Sequence, residues 1–127
     1  MKSKILIVED NELIRENTIE ILELNDYTVF AACNGQEGLQ IALAEVPELI
    51  LCDIRMPVMD GYHLLEHIRK IQALDHSHFI FLTSACEKTD IEKALLMGAD
   101  DYIVKPYSTD DLLAKLEAKL QQLKTSS

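Results

Sequence analysis

Short unbroken apolar runs alternate along this chain with stretches whose apolar residues recur at helical spacing. The first run, Ile5-Leu6-Ile7-Val8, is branched and continuous, which predicts a strand buried on both faces of a parallel sheet. It stops at Glu9-Asp10. Asn11 then offers a helix N-cap, and Ile14, Thr18, Ile21 and Leu22 define one face of a helix. The same unit recurs: residues 28–32 read as a strand and Asn34-Gly35 as a turn, after which Leu39, Ala42, Leu43 and Val46 mark a helix stopped before Pro47. Residues 49–52 form a third strand ending at Asp53. A loop over 54–60 then leads to Gly61 and a helix carrying Leu64, Leu65, Ile68 and Ile71. Asp75-His76-Ser77-His78 reads as a polar connector before a fourth strand at 79–82, which ends at Thr83. Ile91, Ala94 and Leu95 give the next helix, with Gly98 as its left-handed C-terminal residue, and residues 102–104 give the fifth strand. After Lys105-Pro106, Ser108 and Asp111 stand at capping-box-like spacing. They open a last helix that buries Leu112, Leu116, Leu120 and Leu123, and Thr125-Ser126-Ser127 reads as a frayed tail.

Five strands alternating with five helices predict an α/β fold, a doubly wound five-stranded parallel sheet covered on both sides in a flavodoxin-like three-layer sandwich. A length of 127 residues suits one domain over 1–127, and no repeat or low-complexity linker divides it.

Composition narrows the function. With 48% hydrophobic and 27% charged residues the chain can pack a core, and a formal charge of −10 argues against direct nucleic-acid binding, which needs a locally positive surface. No apolar run reaches membrane-spanning length and no signal peptide follows Met1-Lys2-Ser3-Lys4, so the expected location is the cytoplasm, away from a membrane. Cys33, Cys52 and Cys86 are widely spaced and odd in number, which fits reduced thiols used as small hydrophobes.

In doubly wound sheets, ligands bind beyond the carboxyl ends of the strands. Those ends carry Glu9 and Asp10, Asp53, Thr83, and Lys105. Converging carboxylates repel unless a cation compensates, and an all-oxygen set suits Mg²⁺. Lys105 and Thr83 can then meet phosphoryl oxygens while Asp53 attacks phosphorus, so the set reads as phosphoryl-transfer equipment.

Four segments, ILIVED at 5–10, DIRMPVMDG at 53–61, FLTSA at 81–85 and GADDYIVKP at 98–106, occur in order, and in them the chain resembles the receiver domain of bacterial two-component response regulators over almost its whole length. The resemblance implies that Asp53 is phosphorylated by a sensor histidine kinase or phosphotransfer protein, and that Glu9, Asp10, Asp53 and the backbone carbonyl of Arg55 hold Mg²⁺. It further implies a cis bond between Lys105 and Pro106, and switch roles for Thr83 and Tyr102. These would remodel the face of the fourth helix, fifth strand and fifth helix for a downstream effector or a phosphorylation-linked homodimer. Such a switch catalyses only its own phosphorylation and dephosphorylation. Arg55 and Ala85 flank the path of attacking water, and the long cation at Arg55 is expected to change the lifetime of the acyl phosphate. The sequence shows no output domain after the last helix, so docking to a partner is the expected mode of action unless the chain is a fragment of something longer.

Other readings fare less well. A dehalogenase-type phosphatase needs a second acid where Arg55 stands, and a nucleotide or flavin module should show a glycine-rich phosphate loop after the first strand. A phosphorylation-independent relic would have lost acidic or lysine positions that this chain keeps. His63 and His67 share a helix face at zinc-compatible spacing without a third ligand, His76 and His78 sit in the connector, and none of the four is assigned a role.

Overall fold

The computed structural model describes residues 2–84 and 88–125, and among these the side chains of all but 88, 89 and 122–125. The elements run β1 (Lys4–Val8), α1 (Glu12–Leu24), β2 (Thr28–Ala32), α2 (Gly35–Glu45), β3 (Leu49–Asp53), α3 (Gly61–Arg69), β4 (His78–Thr83), α4 (Lys88–Leu96), β5 (Asp101–Val104) and α5 (Thr109–Thr125). All strands pair in parallel, in the order β2-β1-β3-β4-β5. The order reverses between β1 and β3, which sets their carboxyl ends beside a crevice.

Strand parity divides the core in two. Leu6, Val8, Ile50, Cys52, Phe79 and Phe81 pack toward α2, α3 and α4, whereas Ile5, Ile7, Leu49, Leu51, Ile80 and Leu82 meet Leu22 of α1 and Leu112, Leu116 and Leu120 of α5. Successive strand residues point to opposite faces, so a run apolar at every position is what two covered faces require. No described helix is long and apolar enough to cross a membrane.

Caps fix the helix starts. Asn11 accepts from the Ile14 amide at 3.0 Å, and Ser108 accepts from the Asp111 amide at 3.0 Å. The C-terminus of α4 closes with Gly98 at φ +110° and paired bonds from Gly98 N to Leu95 O and from Ala99 N to Ala94 O.

Several sequence expectations shift. Asn34 is the N-cap of α2 and Gly35 its first residue, rather than a separate turn. The buried face of α2 is made by Gly35, Gly38 and Ala42, while Leu43 and Val46 are exposed. Small residues are needed there because the helix lies so close to β1 that a Cβ on Gly38 would stand 2.9 Å from Val8 Cγ2. Ile71 falls beyond α3, and a 3-10 turn at Gln72–Leu74 follows it. Ser77 is buried, its hydroxyl donating to Pro47 O at 2.6 Å, and His78 opens β4, so the connector is shorter than its polarity suggested. Leu95 is exposed, and Thr125 belongs to α5. Ala85, Cys86, the Leu123 side chain and the tail at 126–127 lie outside the described residues.

Candidate functional site

The five strand-end residues meet at one end of the sheet. β1 is flanked by β2 and β3, so the residue that follows it remains in the ladder: Glu9 N donates to Ala32 O at 3.0 Å. Its side chain is fully buried, a rare fate for a carboxylate without partners. The partners are Lys105, whose Nζ donates to Glu9 Oε1 at 2.6 Å, and the Asn11 amide, which donates to Oε2 at 3.3 Å. Arg15 ties down the same corner by donating to Glu9 O at 2.8 Å.

Lys105 reaches Glu9 from the far side of the sheet. Its amide donates to Thr83 O at 2.7 Å, continuing the pairing of β5 with β4, and the following bond to Pro106 is cis. From there the side chain crosses the ends of β4 and β3, passing Asp53, whose Oδ2 lies 3.3 Å from Nζ. Tyr107 secures the approach, its hydroxyl 2.7 Å from Thr18 Oγ1 on α1.

Asp53 closes β3 in register with Leu82, and Thr83 is one residue further along β4. Behind Asp53 the chain turns tightly enough for Gly61 N to donate to Ile54 O at 2.7 Å. A Cβ on Gly61 would press into the Asp53 carbonyl oxygen and come within 2.7 Å of the Phe81 ring, so glycine is dictated by close approach.

Charge crowding shows in the ionisation of the site. Burial pushes the Glu9 carboxyl up to about 7, and neighbouring Asp53 adds to the rise against the opposing Lys105 bond. For Lys105, burial works against the charge, but the bond to Glu9 and the field of Asp53 outweigh it and hold the pKa above the ordinary value. Glu9, Asp10 and Asp53 present oxygens within 4.8 Å of one another, with Asp10 exposed at the mouth. This is an all-oxygen donor set with more negative charge than one lysine relieves, and it fits a hard divalent cation.

Beside it opens a cleft of about 130 Å³ lined by Asp53, Arg55, Thr83, Ser84, Asp90 and Lys105. Of the predicted residues, Glu9, Asp10, Asp53, Thr83 and Lys105 are thus brought together. The Arg55 side chain is directed to the Asp90 carboxylate, Nη2 to Oδ2 at 3.4 Å. Tyr102 stands apart, half-buried at the core margin, with Lys115 Nζ 4.9 Å from its ring centroid and donating to its carbonyl at 2.7 Å. Sequence reasoning did not single out Asp90 or Ser84. The signal was available in extending the strand-end rule into the first helical turn after β4, where Asp90 lies. Of the histidines, His63 pairs with the α3 cap residue Asp60 at 2.9 Å, and no metal-compatible cluster includes any of the four among the described residues.

Comparison with known proteins follows the same lines. Residues 5–117 match the family model of the response regulator receiver domain. The chain is 36% identical over 126 residues to "Probable transcriptional regulator ycf27" of Porphyridium aerugineum, covering 99% of this chain and 51% of that protein. It is 37% identical over 119 residues to the transcriptional regulatory protein HprR of Escherichia coli (strain K12), covering 94% and 52%. It therefore spans about half the length of these relatives. Among solved structures, a CheY-like response regulator receiver domain protein from Methanospirillum hungatei JF-1 superposes over 100% of both chains with a TM-score of 0.93 at 35% identity.

Proposed function

Because this chain belongs to the response regulator receiver domain family of two-component systems, we propose that it is a phosphoacceptor switch acting in the cytoplasm, with Asp53 as the residue phosphorylated. The observation that carries the reading is the placement of Lys105 Nζ 3.3 Å from Asp53 and 2.6 Å from Glu9, at the mouth of a cleft that Thr83 also lines. A phosphoryl group arriving in that cleft meets a fixed cation and a hydroxyl donor.

An Asp53 carboxylate oxygen attacks phosphorus of a phosphohistidine on a sensor kinase or phosphotransfer protein. The P–N bond breaks, the imidazole nitrogen regains a proton from solvent, and an acyl phosphate remains on Asp53. Lys105 neutralises phosphoryl oxygens and Thr83 donates a hydrogen bond to one of them. Glu9, Asp10, Asp53 and the Arg55 carbonyl would hold Mg²⁺, which when bound offsets the crowded carboxylates and the incoming phosphoryl charge. Charge gained at Asp53 draws Thr83 inward and Tyr102 after it, remodelling the face of α4, β5 and α5, where a downstream effector or a second copy of the chain docks. Water later removes the phosphoryl group and resets the switch.

The test is incubation with Mg²⁺ and acetyl phosphate or phosphoramidate, read by intact mass. Wild type gains one phosphate-sized adduct and Asp53→Asn gains none. An adduct that persists in Asp53→Asn, or none in wild type even with a histidine kinase as donor, overturns the reading.

A further inference from the structure

Arg55 and Asp90 face each other across the cleft that holds Asp53, one from the loop after β3 and the other from the first turn of α4. The Asp90 backbone is anchored: Tyr62 donates its hydroxyl to the Asp90 main-chain O at 3.0 Å, and the Tyr62 ring is itself packed against Phe81 at 5.5 Å between centroids. Arg55 is the looser partner, its side chain 75% exposed against 26% for Asp90. We propose that Asp90 is a positioning residue that holds the Arg55 guanidinium away from Asp53, and so controls how long a phosphoryl group stays there.

This inference rests on Asp53 being the phosphoacceptor. Before phosphorylation, the charged residues lining the cleft among the described residues are two carboxylates, Asp53 and Asp90, and two cations, Arg55 and Lys105. Phosphorylation turns the Asp53 carboxylate into a neutral acyl group bearing a dianion, adding about one negative charge. The guanidinium then has the phosphoryl oxygens within its sweep as well as Asp90. A charge-assisted fork to phosphate is the stronger contact, and a solvated pair at 3.4 Å is readily exchanged. Resetting requires water to add its oxygen to phosphorus as the P–O bond to Asp53 breaks. The bonding electrons stay on the Asp53 carboxylate and both water protons leave on dihydrogen phosphate. A guanidinium lying over the phosphoryl oxygens covers that approach. Asp90 competes for the same guanidinium, uncovers the phosphorus and shortens the lifetime of the mark.

The experiment follows loss of the adduct by intact mass after removal of the small-molecule donor, in Mg²⁺ buffer, for wild type, Asp90→Asn, Asp90→Glu, Arg55→Ala and the double variant Arg55→Ala with Asp90→Asn. Asp90→Asn is expected to lengthen the half-life by roughly two- to fivefold, the factor that an exposed ion pair is able to shift. Asp90→Glu should stay near wild type, and Arg55→Ala should shorten the half-life and erase the effect of Asp90→Asn. An unchanged half-life in Asp90→Asn overturns the proposal, as does an equal effect with and without Arg55, which is what a merely structural role would give. Either outcome leaves the phosphoacceptor reading standing, whereas no adduct in wild type overturns both.

Discussion

Glu9 gives folding a pH lever that the metal should reverse. In the unfolded chain its carboxyl titrates near 4.5, and in the folded chain burial beside Asp53 moves it to about 7. Between those values the folded state keeps a proton that the unfolded state has lost, so stability falls as pH rises through the window. A gap of about 2.5 pH units at roughly 1.4 kcal/mol each sets a ceiling of about 3 kcal/mol, reached above pH 7. Lys105, with its pKa raised, stays charged in both states throughout this range, and its contribution is lost only at far higher pH. The assay is urea unfolding from pH 5 to 8 in EDTA, comparing wild type with Glu9→Gln. The variant keeps the side-chain shape and an oxygen for Lys105 but cannot ionise, so the difference between the two curves isolates Glu9 from every other titrating group. Relative to the variant, wild type should lose on the order of 3 kcal/mol across the range. With Mg²⁺ in place of EDTA, the ion binds ionised Glu9 in the folded state only, and wild type should regain stability at pH 8. A difference that is flat or rising with pH in EDTA would refute the argument, and a flat one unaltered by Mg²⁺ would also remove Glu9 from the metal site.

Lys105→Met leaves Glu9 and Asp53 without their shared cation; in metal-free buffer at pH 8 it should cost about 2–3 kcal/mol, less than a fully buried pair because Glu9 can take a proton, and the loss should shrink at pH 5 in the same urea assay. Gly61→Ala drives a methyl into the Asp53 carbonyl and the Phe81 ring, so thermal unfolding should show a loss of about 1–3 kcal/mol despite the helix propensity gained, with slower phosphorylation as the strand end shifts. Val58 is exposed at φ +68° in a tight turn closed by Met59 N to Pro57 O at 2.7 Å; Val58→Gly should raise stability by about 1 kcal/mol, and a loss would show that this turn carries no strain.

Much of the architecture was legible because it is written locally. Unbroken runs such as Ile5-Leu6-Ile7-Val8 and Leu49-Ile50-Leu51-Cys52 make sense only in strands covered on both faces, and caps such as Asn11 and Ser108 act within one turn of the residues that need them. The strand-end rule then pointed to Glu9, Asp10, Asp53, Thr83 and Lys105 without a distance being known. Local patterning misled in α2, where Leu43 and Val46 looked like part of the packed face but are exposed; how closely a helix approaches its sheet depends on residues such as Val8 far away in sequence.

By itself, then, the sequence determined the element order, the two-sided burial of the strands and which residue types stand at their ends, since each depends on neighbours within a few positions. Only the tertiary structure decided that Lys105 bonds a fully buried Glu9 while lying beside Asp53, and that Arg55 leans on Asp90. Those pairings span 96, 52 and 35 positions of chain, and residues so far apart are brought together by strand order and register. No local propensity encodes that distance: the contacts arise when the whole sheet closes, which is also when the burial that perturbs Glu9 first exists.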